Sequence, residues 1–228
     1  AAPAAQTPGR HPFMSFLQQL KQQASVVKSQ QGTQVQALDA NVQRAEEACQ
    51  TIRHYLTDLA AQLNVIEPDA RSLSLDGRTK WPAMKLATFR FDVRQKVLRQ
   101  KQVTDYLALG WHILPRVPVT NVSRVSVNIP PDLERVESRL RAGFVKHARL
   151  EQRHPDTNKL QAIVFEHELA ARASVLITPN HDEARLQVRL AGVVGLDTQT
   201  TQVPAAAITT AWLDDLAKAI VGQVSSWG

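Results

Sequence analysis

His167 stands in the run Ile163, Phe165, His167, Leu169, where every second residue is otherwise apolar. Its imidazole should therefore face the interior side of a strand and need a hydrogen-bond partner. Such a group can take up or release a proton between pH 5 and 8. With His147 or Lys146 on a paired strand and Glu166 alongside, it is a candidate for proton handling or ligand binding, and Trp111, on the apolar face of another strand, is the second candidate pocket residue. The simpler reading of His167 is a hydrogen-bonded core histidine. Glu166 and Glu168 share the opposite parity and read as solvated.

Asn180-His181-Asp182-Glu183 places imidazole and carboxylates together, ligand types that suit a divalent metal. The tetrapeptide lies between two apolar strands, however, and Asn and Asp are turn formers, so a turn is expected and no metal site is assigned. Arg90, Arg94, Lys96, Arg99 and Lys101 line one face and the tip of a strand pair, a candidate patch for an anion or nucleic acid. Phe89 and Phe91 have the other parity, which leaves that patch without a base-stacking surface and makes its binding electrostatic.

The chain has no Gly-rich phosphate loop, no G-x-S-x-G, no H-E-x-x-H and no C-x-x-C. Nothing specific argues for an enzyme, so no catalytic residue and no cofactor is assigned. The one cysteine, Cys49, excludes an intrachain disulfide framework and reads as a buried structural thiol.

The elements that must position these groups begin with a long helix. Val35, Leu38, Val42, Ala45, Cys49, Ile52, Leu56, Leu59 and Leu63 recur at alternating steps of three and four, the spacing of a coiled-coil seam. An earlier stripe, Leu17, Leu20, Ala24, Val27 and Gln31, joins it through two consecutive steps of four. That stutter, with Gly32 inside it, predicts a bend, a break into two helices or a change of partner near Gln30–Gln34, and the arm is a helical hairpin if the chain turns back there. The flanks are rich in Gln and poor in the Glu/Lys pairs that fix a coiled-coil partner.

Composition and charge add limits. The 228 residues carry 27 Lys+Arg against 21 Asp+Glu, a net charge of +6. Pro68 to Arg153 holds 17 basic against 8 acidic residues, whereas the chain after Pro155 has 5 against 8. A basic middle suits nucleic acid or an acidic partner, and is also compatible with an ordinary solvated face. No apolar run approaches the eighteen or so residues that span a bilayer, and no leader pattern is visible, so the cytoplasm is the expected compartment.

The expected organisation is a disordered segment over 1–12, a coiled-coil helical arm over 13–64, a linker over 65–85 and an antiparallel α+β domain over 86–228. Within that domain, Leu86 onward alternates as a hairpin, with a polar turn over Arg99–Gln102. Pro130-Pro131 opens a short helix stopped by Gly143, and a long or bent strand covers 160–177. Val175 is expected to pair with Leu186, and a last helix runs from Thr210 to Val221. The fold class is α+β, with two helices packed on the sheet. The expected function is a non-enzymatic interaction or assembly protein that binds itself or another protein through the seam. One alternative is a small-molecule or lipid-binding domain with a helix-grip-like cavity containing His167 and Trp111. The other is a basic nucleic-acid-binding accessory protein.

Overall fold

A computed structural model describes residues 16–227. The disordered segment expected over 1–12 and a helix start at Phe13 lie outside those residues. Helix α1 runs from Phe16 to Ile66 without interruption. Of the alternatives expected at Gln30–Gln34, the break into two helices and the hairpin do not occur. A stutter shifts the apolar stripe around the helix but breaks no backbone hydrogen bond, and one glycine costs only about 1 kcal/mol. The helix ends where Pro68 cannot continue it, with Glu67 in the left-handed region and its N–H bonded to the Leu63 carbonyl.

The chain divides after Ala40 into two compact units. In the first, the described structure is the N-terminal part of α1. The second holds the rest of α1 and everything after it, and its architecture is α+β.

Its larger sheet is antiparallel and has the order β1-β2-β6-β7-β8, built from Met84–Leu98, Lys101–Pro115, Ala171–Asn180, Arg185–Ala191 and Thr198–Pro204. A three-stranded sheet, β3-β5-β4, is formed by Ser123–Val127, Leu160–His167 and His147–Arg153. Helix α2 covers Pro130–Ala142 and helix α3 Thr210–Ile220. Thr209 caps α3 by accepting a hydrogen bond from the Trp212 N–H.

The apolar run expected as one long strand is two strands in two sheets. Val164 and Phe165 belong to β5, and after Glu168–Ala170 the chain enters the larger sheet as β6. Shared parity survives because both strands turn the same residue set inward, but periodicity cannot mark a change of sheet. The hairpin register also differs from expectation. Val175 faces Leu190 and Ile177 faces Val188, four residues from the expected Val175–Leu186 pair. Shifts of two or four keep every side chain on its own face, so alternation alone does not choose between them.

Strands β1 and β2 are joined by a two-residue turn at Arg99–Gln100, both left-handed, rather than by the four-residue turn expected. In β1, Thr88 and Phe89 together oppose Trp111, a bulge that sends Phe89 into the core while Thr88 faces out. Gly143 follows α2 as expected but is not left-handed. Its role is space, since a Cβ there would lie 2.8 Å from Leu196 Cδ2, and the left-handed residue is the next one, Phe144.

The stretch before β1 contributes to the core through Leu73, Leu75 and Trp81, and Ser72–Leu75 is not the short strand expected. Ile52 and Leu56 of α1 and Leu213 and Leu216 of α3 join Leu109, Val175, Ile177 and Val188 of the larger sheet in one buried cluster. Tyr55 Oη donates to Asp214 at 2.6 Å, tying α1 to α3.

Candidate functional site

A polar cluster sits where α1 meets the tip of the larger sheet. Glu46 points from the helix toward β2, and its carboxylate accepts from Thr104 N–H at 2.9 Å and Thr104 Oγ1 at 3.0 Å. Nε2 of His181, which is 3% exposed, lies 2.8 Å from the same carboxylate. Beside it, Asn41 Nδ2 donates to the Asp182 carbonyl and Arg99 pairs with the Asp182 side chain. Thus the Asn180–Glu183 segment is the β6–β7 turn expected. Its imidazole is directed at α1 and its Asp at Arg99. Among the described residues no three His, Cys, Asp or Glu side chains converge to hold an ion.

Cys49 lies one helical turn beyond Glu46. Burial, with the Glu46 charge adding to it and a Thr104 hydrogen bond only partly offsetting it, pushes the thiol up to about 12. A thiol held neutral in this way is a poor nucleophile. The geometry therefore assigns Glu46, His181 and Thr104 to clamping the helix on the sheet. A groove of about 620 Å³ runs alongside, edged by Arg53, His54 and Asp58 of α1 and Gln95 of β1, with charges of both signs on its walls.

His167 is buried in the smaller sheet. It faces His147 across the β4–β5 ladder, Nδ1 lies 3.1 Å from the Glu168 carbonyl, and its ring stacks on Trp81 at 5.6 Å. Burial lowers its pKa, and nearby His147 adds to that against the opposing influence of the Glu168 carbonyl and Asp76. Both sequence-based partners are close, since Lys146 pairs with Glu168 and its carbonyl receives the Glu168 N–H. The space beside His167, however, is only about 70 Å³, far below the few hundred Å³ a ligand fills.

Asp76 organises the loop over that space. Burial opposes its ionisation, but N–H groups of Arg78 and Thr79 and hydroxyls of Thr79 and Ser74 outweigh this and hold its pKa at about 2. Because the folded value lies below the ordinary 3.8, the ionised carboxylate stabilises the fold above about pH 4, and this contribution is lost as pH falls toward 2. Asp76→Ala should cost about 1–2 kcal/mol at pH 7 by urea denaturation, the partly exposed site reducing the full value of its bonds. The gap to the wild type should close between pH 4 and pH 2, and a pH-independent gap would refute the assignment.

Trp111 does not share a pocket with His167. It lies on β2, stacks on Phe89 at 5.3 Å, and its Nε1–H is buried without a hydrogen-bond partner among the described residues. Between the sheet and the helices, buried side chains of α1 and α3 pack with those of the larger sheet in one cluster. Of the five residues of the basic patch, Lys96 pairs with Asp105 and Arg99 with Asp182, and Lys101 is also engaged. Arg90 and Arg94 carry no ion pair among the described residues. Arg90 lines a hollow of about 360 Å³ together with Arg172 of β6, which lies two strands away. Outward parity was the only sequence signal for Arg172, and it does not reveal which strands are neighbours.

The seam divides in two. Val42, Ala45, Cys49, Ile52, Leu56 and Leu63 are buried in the second unit, and Leu59 is packed against its core. Leu38 is half-buried, and Val35 is 58% exposed. Further toward the N-terminus Leu17, Leu20 and Val27 are 60, 44 and 50% exposed. Among the described residues, no helix is long and apolar enough to cross a membrane.

Comparison of the chain with protein-family models, curated proteins and solved structures gives no match.

Proposed function

We propose that this is a non-enzymatic assembly protein whose α+β domain carries a self-associating helix, with residues 16–40 of α1 as the surface that meets a second copy. The observation that supports this most is the exposed stripe Leu17, Leu20, Val27 and Val35 on a continuous helix. Large apolar side chains repeated along one helix face gain by burial against a similar face, at roughly 25 cal/mol per Å² of apolar surface. With Ala24 and Gln31 between them the stripe steps by three and four, which suits another helix, and the Gln-rich flank, with Lys21, Lys28 and Asp39 as its only charges after Phe16, offers little repulsion between copies. The stripe is short, so the association should be modest. The buried thiol is compatible with a cytoplasmic setting.

The full-length chain should sediment as a concentration-dependent dimer or higher oligomer in the micromolar range. The double variant Leu20→Asp/Val27→Asp should be monomeric with an unchanged melting temperature. A wild type that remains monomeric at 100 µM, or an oligomer indifferent to both substitutions, would remove self-association from consideration.

A further inference from the structure

The outward face of the larger sheet carries a second feature, unrelated to the helix. Two hollows of about 360 and 350 Å³ lie side by side across β1, β2, β6 and β7, and they share Phe144 and Ser174. The first is bordered by Arg90 and Arg172, with Gly110 leaving room between them, since a Cβ there would touch nothing nearer than 3.9 Å. The second is bordered by Arg141 of α2 and Arg189 of β7. No lining residue of either hollow is acidic.

These four guanidinium groups make no ion pair among the described residues. Seven of the other thirteen arginines of the second unit do, namely Arg99, Arg116, Arg124, Arg135, Arg139, Arg149 and Arg153. Even Glu137, one turn before Arg141 on α2, pairs with Arg149 instead. Four unneutralised cations on one concave face attract a partner with several negative charges.

Phe144 stands between the hollows, 69% exposed and left-handed at φ 48°. A bulky residue in that region is strained and is held only by its surroundings. Here the Gly143 carbonyl accepts the Arg172 N–H at 2.7 Å, and the Phe144 N–H donates to the Arg141 carbonyl at 3.1 Å. Two of the four arginines thus belong to the segments that fix the ring's backbone.

We propose that this face binds single-stranded nucleic acid, with the arginines on its phosphates and a base stacked on Phe144. An aromatic flanked by cations in an open trough matches the chemistry of a chain that alternates phosphates with flat rings. The sheet's polar face thereby has the stacking group that neither Phe89 nor Phe91 supplies, because Phe144 comes from the loop after α2.

The test is fluorescence anisotropy of the full-length protein with labelled 12-mers of deoxythymidine and of uridine, set against a 12-bp duplex and inorganic polyphosphate. With four phosphate contacts the affinity for the single strands should fall about 50-fold between 50 and 200 mM salt. Arg172→Ala should lower the slope of log K against log salt by about 0.7. Phe144→Ala should weaken binding about tenfold and leave that slope unchanged. All substituted side chains are exposed, and an unaltered circular dichroism spectrum confirms the fold. No binding at 50 mM salt overturns the proposal, as does tighter binding to the duplex. Equal competition by polyphosphate, together with indifference to Phe144→Ala, also overturns it and leaves a plain anion site.

Discussion

Leu56→Asp should unfold the α+β domain rather than dissociate an oligomer. Leu56 is 1% exposed at the centre of the covered part of α1, in the buried cluster that includes Leu109, Val175 and Leu216. The substitution removes a buried isobutyl group and places in that cluster a carboxylate with no cation assigned to meet it. Deleting a buried leucine side chain alone costs about 2–5 kcal/mol, and an unpaired buried charge adds to that. A loss of about 5 kcal/mol or more would equal the whole stability of many domains. Loss of the cooperative thermal transition by circular dichroism is the expected result. If Leu56→Asp melts like the wild type, α1 is not packed as described. Leu20→Asp on the same helix should leave the transition in place, because that side chain is exposed in the folded chain.

The second large effect is expected at Glu46. Its carboxylate serves Thr104 twice and His181 once. Glu46→Ala leaves the Thr104 N–H and an almost fully buried imidazole without that acceptor, and the loss of one partner from a buried polar pair is what makes it expensive. Because the Glu46 side chain is 32% exposed, water can replace part of the interaction, and a cost of about 3 kcal/mol is expected in urea denaturation. Glu46→Gln keeps an acceptor oxygen for the Thr104 N–H and should cost about 1 kcal/mol. Combining Glu46→Ala with His181→Ala should cost less than the sum of the separate losses, since both act on one contact. Strict additivity would show that the two side chains do not cooperate in holding α1.

The α+β class, the helix and the first hairpin were legible in the chain for a common reason. Periods of 3.6 and 2 record which way each side chain points from its own backbone. The turn at Asn180–Glu183 and the helix opened by Pro130-Pro131 were legible because Asn, Asp and Pro act on the local backbone directly. Where several arrangements satisfy the same local pattern, the chain gave no ground for choosing. Leu186 and Leu190 are equally apolar partners for Val175, and a strand that changes sheets after His167 keeps its parity. The partners of Arg99 and His181, which are Asp182 and Glu46, lie 83 and 135 residues away in the chain.

By itself the amino-acid sequence determined that α1 would be helical and would present an apolar stripe. Tertiary structure alone decided that Val42 to Leu63 lie on the chain's own core while Leu17, Leu20, Val27 and Val35 are exposed in the single chain. It also decided that Arg90 and Arg172, 82 positions apart, would border one hollow beside Phe144. Periodicity specifies the direction of a side chain, whereas its neighbour depends on strand order and on loops that cross between layers, and neither leaves a local mark.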